Sequence, residues 1–187
     1  MRCRNSVASK VCVALIFILV GLYSNAQGFD RPPDIFERLD AKTVIEVIEP
    51  LKIDGNITTP FAVRYTKNGD MAPSCALVDA VNSTRSLEMI GPSDGQFANC
   101  HRRLSAPVIT KIGGHYFAAY TYVVEDPRAV FETSYQVVRL GDHGYWKCRA
   151  DERISLLVAK LSAEGVALNN AVGAAIRKFG CANAIFN

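Results

Sequence analysis

The chain has 187 residues, with 21 Lys and Arg against 18 Asp and Glu and a formal net charge of +3. This length suits one domain with a hydrophobic core. Its charges are scattered and form no basic stripe of the kind that binds nucleic acid, so we expect no nucleic-acid partner.

The first 26 residues have the three parts of a signal peptide. Basic residues precede an apolar run over residues 11–23, and Ser24 and Ala26 place small side chains at the −3 and −1 positions of a cleavage site. The run is too short to span a bilayer comfortably, so we expect cleavage after Ala26. The alternative is an uncleaved N-terminal anchor.

Cleavage would leave one exported domain, residues 27–187, of 187 − 26 = 161 residues. The signal peptide contains three basic residues and no acidic ones, so Lys plus Arg falls from 21 to 18, equal to the 18 Asp plus Glu. We therefore expect a neutral periplasmic or secreted domain. No second long apolar run exists, so we expect no transmembrane segment in the mature chain.

Of the six cysteines, four remain after cleavage, and an even number in an oxidising compartment predicts two disulfides. Three connectivities exist, and we favour Cys75–Cys100 and Cys148–Cys181. The cysteines lack the close C-x-x-C spacing of zinc sites, so we expect no metal. Two triplets match the glycosylation acceptor pattern and mark surface turns, at Asn56 and Asn82.

The elements before Cys75 are short. Asp34 begins a predicted helix over residues 34–41, and the β-branched stretch 43–49 is either a strand or a continuation of that helix. Two further strands are predicted, over residues 51–53 and 61–66.

From Cys75 onwards, short strands alternate with turn residues. Each connection is too short for a parallel crossover, so the pattern predicts an antiparallel meander of about five to seven strands. The candidate strands are residues 75–81, 85–90, 96–102, 108–112, 115–124, 129–139 and 145–148.

The C-terminal segment has apolar residues at helical spacing, with Asp151 as a plausible cap. Gly165 either lies within one long helix or ends the first of two. A single helix of 28 residues would be about 42 Å long and would hold Cys148 far from Cys181. A Cys148–Cys181 bridge therefore requires two helices in a hairpin.

Together these elements predict an α+β fold. A short N-terminal helix precedes the meander, and the C-terminal helix or hairpin packs on one face of the sheet. The predicted core contains Phe117, Phe131, Leu157, Leu161, Val172 and Ile176.

Catalytic signatures are lacking. The chain has no G-x-S-x-G, no H-E-x-x-H and no glycine-rich phosphate loop, and its three histidines are not at metal-binding spacing. Every mature cysteine has a predicted disulfide partner, so we expect no thiol nucleophile. We expect no enzyme and no cofactor, with a secreted hydrolase that has no recognisable motif as a third alternative.

Two glycine turns carry the candidate binding residues, which are His115, Tyr116, Asp142, His143 and Tyr145. Aromatic and histidine side chains on loops anchor protein interfaces. Trp146 is either a further anchor or, as we favour, a core residue beneath the helices, with Tyr145 on the opposite face.

We therefore expect a non-catalytic protein that binds or inhibits another protein in the cell envelope or outside the cell. The alternative is a soluble small-ligand-binding or structural envelope protein. In size, export and bridges the chain resembles periplasmic inhibitor and immunity proteins in general character. This resemblance covers no specific motif and implies no site residue.

Overall fold

The computed structural model of the protein describes residues 39–69, 72–80, 85–89, 100–102, 104–125 and 131–182. This part of the chain consists mostly of antiparallel β-strands in three sheets, followed by two helices. An α+β fold agrees with this content. No helix in the described part is long and apolar enough to cross a membrane.

The first sheet has four strands in the order β1-β4-β5-β6. A small separate hairpin lies between β1 and β4 in the chain. The strands are β1 (Ala41–Ile48), β4 (Phe61–Lys67), β5 (Ser74–Val78) and β6 (Ser86–Glu88), and the hairpin is β2 (Lys52–Asp54) with β3 (Ile57–Thr58). Residues 43–49, for which a strand and a helical continuation were both open, lie mostly in strand β1. Their β-branched side chains favour the extended backbone.

The second sheet has five strands in the order β11-β10-β9-β7, and β8 also pairs with β9. The long β9 pairs with β8 through its first half and with β7 near its end, so β7 and β8 share one edge of β9. The strands are β7 (Cys100–Arg102), β8 (Val108–Ile112), β9 (His115–Glu125), β10 (Phe131–Gly141) and β11 (Gly144–Lys147).

The second sheet is the middle of three layers. On β9, Ala118 and Tyr120 are buried in a core shared with the first sheet. Phe117 and Ala119 point to the opposite face and are buried in a core shared with the helices. Because successive side chains of a strand alternate between faces, a strand buried on both sides needs a packing layer on each side.

The predicted single meander is therefore corrected to two sheets. β5 and β6 belong to the first sheet with β1 and β4, whereas β7 to β11 form the second. The local pattern of strands and turns predicted a strand at the position of each of β5 to β11. It did not indicate that the chain changes sheets between β6 and β7, because strand pairing is not a local property.

The C-terminal segment is a helical hairpin of α1 (Asp151–Ala163) and α2 (Leu168–Phe179). Gly165 has φ +85° in the turn between them, a conformation that glycine adopts without strain. Asp151 is not the cap, because Ala150 occupies that position. The Asp151 carboxylate instead accepts a hydrogen bond from Gln136 Nε2 at 2.7 Å and pairs with Lys147 Nζ at 3.2 Å.

Two disulfides join elements distant in sequence, and they are the pairs that the sequence analysis favoured. Cys75 on β5 is bonded to Cys100 on β7, so this bridge links the two sheets. Cys148 follows β11 and is bonded to Cys181 after α2, which closes the helical hairpin. Both bridges fit a protein of an oxidising compartment.

The N-terminal helix over residues 34–41 lies mostly outside the described residues, and at its predicted end Leu39 and Asp40 form a turn before β1 begins at Ala41. Phe131 is 46% exposed and is not a core residue. Phe131 is the first residue of β10 and shares a face with the buried Val137. At the start of the strand, however, this face is not covered, so Phe131 remains exposed.

Candidate functional site

Two hairpin turns lie at the same end of the second sheet. Gly113 and Gly114 connect β8 to β9, and Asp142 and His143 connect β10 to β11. Leu140 pairs with Tyr116 on the neighbouring strand, so the next residue of β10, Gly141, lies opposite His115. The strand register therefore brings together the two turns that the sequence analysis singled out.

Both turns are fixed by backbone geometry. Gly113 and Gly114 have φ +56° and +82°, as a two-residue type I′ hairpin requires. Gly144 has φ +105°, and a Cβ added there would lie 2.7 Å from Cγ of the buried Asp79 carboxylate. The β10–β11 turn is thus packed closely against the end of β5, which fixes the position of the turn.

Tyr145 does not contribute a surface anchor, contrary to the sequence prediction. Its side chain is fully buried between the two sheets, and its hydroxyl donates a hydrogen bond to the Leu77 carbonyl oxygen at 3.0 Å. Burial raises the pKa of Tyr145 above its ordinary value of 10.0, with a smaller contribution from Asp79. The prediction placed Tyr145 on the face opposite the helices, but that face is covered by the first sheet.

Tyr116 is half-buried and has local partners. Its hydroxyl donates to Asp54 Oδ2 and accepts from Lys111 Nζ, each at 3.1 Å, and the Lys111 ammonium lies 4.6 Å from the ring centroid. The hydrogen bond to Tyr116 raises the pKa of Lys111. These contacts attach the β2–β3 hairpin to the second sheet. Tyr116 therefore stabilises the sheet end and does not belong to its exposed residues.

The helix-side face of this sheet end, opposite to Tyr116 and Tyr145, carries a cluster of four residues. We call His115, Arg139, Gly141 and Trp146 the hairpin-end cluster. Arg139 pairs with Trp146 across β10 and β11, and His115 lies opposite Gly141. The Trp146 ring packs over the Gly141 backbone, since a Cβ added at Gly141 would lie 2.5 Å from Trp146 Cη2.

Trp146 is therefore not the core residue that the sequence analysis favoured. It is half-buried. Among the described residues, those that form the core beneath the helices do not include it. It is on the helix-side face, as predicted, but at the sheet end and on the edge strand β11. Its indole ring covers a glycine and remains partly accessible from outside the molecule.

Arg139 Nη2 lies 3.0 Å from His115 Nδ1 and 3.4 Å from Nε2. A nitrogen atom this close to both ring nitrogens in the ring plane would collide with Cε1 between them, so Nη2 lies out of the plane of the imidazole ring. His115 is exposed, whereas Arg139 is half-buried. The cluster thus places a guanidinium group beside an imidazole ring and an indole ring.

The structure places the five predicted residues in three environments. His115 and both turn residues, Asp142 and His143, are exposed at the sheet end, Tyr116 is tied to Asp54, and Tyr145 is buried. Arg139 was missed as a site residue. The sequence signal for it was weak, because only the register of β9, β10 and β11 brings Arg139 beside His115 and Trp146.

A cleft of about 270 Å³ lies elsewhere, where the Cys148–Cys181 bridge joins the two ends of the helical hairpin. The Arg149 N–H donates to the Ala182 carbonyl oxygen there at 2.8 Å. The cleft is slightly smaller than most small-molecule sites, which begin at about 300 Å³. Its lining residues are Arg149, Ala150, Arg153, Phe179, Gly180 and Ala182.

In the described part of the chain, no group of three or more His, Cys, Asp or Glu side chains is arranged to hold a metal ion. The sheet end presents a cation, an indole ring, an imidazole ring and an exposed turn. No model of a known protein family, no curated protein and no solved structure matches this chain.

Proposed function

We propose that the protein is exported and that its folded domain is a non-catalytic binding protein, which holds or inhibits another protein in the cell envelope or outside the cell. The observation that carries the proposal is the exposed sheet end, with His115, Asp142, His143 and the partly accessible Trp146 on two fixed hairpin turns. Trp and Arg dominate the energetics of protein interfaces, and rigid presentation lowers the entropy lost on binding.

Export is supported by the N-terminal sequence and by the two disulfides. Intact-mass analysis of protein from the envelope fraction or medium should give a chain that begins at Gln27, within a residue or two. Recovery of the full-length chain from that fraction would contradict cleavage after Ala26.

The binding proposal is tested by affinity capture from envelope extract with the tagged, oxidised mature chain. Two variants, His143→Ala and Trp146→Ala, alter the sheet end, and Leu156→Ala is the matched control, because Leu156 is 48% exposed on α1. A partner that depends on the sheet end should bind Trp146→Ala roughly 30-fold more weakly, the equivalent of an anchor contribution of about 2 kcal/mol.

The Leu156→Ala variant should capture that partner as the unchanged protein does. Capture that is lost only with Leu156→Ala would move the interface to α1 and overturn the proposed site. Co-purification of a small molecule without a protein would favour the ligand-binding alternative. Turnover of an ester, peptide or glycan by the purified protein would overturn the non-catalytic assignment.

A further inference from the structure

Arg139 differs from two other half-buried arginines of the described residues. Arg64 pairs with Glu46 at 3.3 Å, and Arg85 pairs with the buried Asp79 at 3.8 Å. No described carboxylate lies within salt-bridge distance of Arg139, and among the described residues the polar contacts of its side chain are with the His115 ring alone. Its charge is therefore not neutralised within the described part of the protein.

The donors of Arg139 are also incompletely used. Its Nε is buried and has no hydrogen-bond partner among the described residues, and because solvent does not reach Nε, a ligand from outside can contact only the terminal Nη groups. Nη2 lies over the imidazole face, a contact that fixes the side chain but adds no negative charge. A guanidinium group offers five N–H donors in a planar fork that matches a carboxylate, so an anionic group is the ligand that this arrangement lacks.

The surroundings of Arg139 favour an acidic side chain presented by a protein over a free ion. The Trp146 indole lies beside Arg139 on the neighbouring strand, where it can pack against the carbon atoms next to a bound carboxylate. The position is at the end of the second sheet, beside the β8–β9 and β10–β11 turns, whose residues Gly113, Gly114, Asp142 and His143 are exposed.

We propose that the hairpin-end cluster binds an aspartate or glutamate side chain of the partner protein, with Arg139 as the carboxylate ligand and Trp146 as the packing surface. This inference rests on the proposed function and specifies the chemistry of the partner's contact.

The protein contains its own reporter for a test, because its single tryptophan is Trp146. The oxidised mature chain is titrated with a short glutamate peptide with blocked termini, and tryptophan fluorescence is recorded. The glutamine peptide of the same length is the neutral control. A glutamine peptide with a free carboxyl terminus distinguishes a side-chain carboxylate from a terminal one.

We expect a saturable fluorescence change with the blocked glutamate peptide and none with the blocked glutamine peptide. Arg139→Gln should weaken binding about tenfold or more, and Arg139→Lys should be intermediate, because lysine keeps the charge but not the fork. Arg149→Gln removes an exposed arginine away from the cluster and should bind as the unchanged protein does. Circular dichroism verifies that each variant is folded.

Asp142 supplies a test in the opposite direction. It is an exposed acidic residue next to Gly141 and should repel an incoming carboxylate, so Asp142→Asn should bind the glutamate peptide more tightly. Equal binding of the glutamate and glutamine peptides, equal binding by folded Arg139→Gln, or no saturable change would each overturn the inference. Preference for the free carboxyl terminus would overturn the assignment to a side chain.

The two proposals fail in different ways. A captured partner that is lost with Trp146→Ala but retained with Arg139→Gln would leave the binding function in place and overturn the carboxylate contact. Arginine-dependent binding of the glutamate peptide without any captured partner would support the chemistry of the cluster and count against an envelope protein as its ligand.

Discussion

Tyr145 connects the two sheets through a hydrogen bond. Its ring is fully buried and its hydroxyl donates to the Leu77 carbonyl oxygen on β5. Tyr145→Phe keeps the ring but removes the donor, so we expect a loss of about 1 kcal/mol in the free energy of unfolding. Tyr145→Ala should cost about 3–5 kcal/mol because it also leaves a cavity.

Urea unfolding monitored by circular dichroism gives both values. Tyr116→Phe is the matched control, since its hydroxyl hydrogen bonds are exposed and should contribute less. A larger loss with Tyr116→Phe than with Tyr145→Phe would contradict this account of how the sheets are joined.

Asp151 links stability to pH. Burial raises the pKa of its carboxyl group above the ordinary value of 3.8, although Lys147 and Gln136 act in the opposite direction. The folded protein therefore keeps a proton that the unfolded chain has already lost above pH 3.8. The contribution of Asp151 to stability consequently falls as the pH rises from 3.8 through its raised pKa.

Asp151→Asn lacks this titration. We expect the free energy of unfolding of the unchanged protein, minus that of Asp151→Asn, to decrease across this pH interval and then to level off. Urea midpoints and slopes measured for both proteins from about pH 3.5 to pH 7 test this expectation. A difference that does not vary with pH would show that the fold does not perturb Asp151.

At the scale of elements, the helical hairpin depends on its closing disulfide. Cys148 and Cys181 are 33 residues apart in sequence, and a loop of this length corresponds to about 3–4 kcal/mol in the chain-entropy model of disulfide stabilisation. The double substitution Cys148→Ser with Cys181→Ser should lower the free energy of unfolding by roughly this amount.

The comparison is the double substitution Cys75→Ser with Cys100→Ser, which opens a similar loop of 25 residues. Hydrogen exchange should distinguish the two variants. Loss of Cys148–Cys181 should reduce amide protection mainly in α1 and α2, whereas loss of Cys75–Cys100 should reduce protection in β5 and β7. The same loss of protection in the helices for both variants would contradict separate roles.

At the scale of the whole molecule, we expect the four buried tyrosines of the described residues to limit stability at high pH. Burial raises the pKa of Tyr65, Tyr120, Tyr122 and Tyr145 above the ordinary value of 10.0. The folded protein therefore retains protons above pH 10 that the unfolded chain releases. Stability should consequently fall as the pH rises above 10.

These four tyrosines should ionise together with global unfolding. Ultraviolet absorbance of tyrosinate and far-ultraviolet circular dichroism, recorded in one alkaline titration, provide the test. Complete ionisation of these tyrosines while the circular dichroism remains native would contradict this prediction, because it would show that solvent reaches their hydroxyl groups in the folded protein.

The sequence alone determined most of the local structure. The predicted strands over residues 61–66, 108–112 and 115–124 match β4, β8 and β9 within a residue. The glycine turns were also located, because type I′ turns and helix ends require φ values that glycine adopts most readily. The favoured cysteine pairs agree with the bridges, although helix length by itself only linked the Cys148–Cys181 bridge to a hairpin and left one long helix open.

Only the tertiary structure decided which face of each strand is covered and which strands are neighbours. Alternation placed Tyr145 and Trp146 on opposite faces, but it did not reveal that the first sheet buries Tyr145 while Trp146 remains at an accessible sheet end. Arg139 entered the site only through pairing between distant strands. A period of two residues specifies alternation within one strand, whereas burial and register depend on residues far away in the chain.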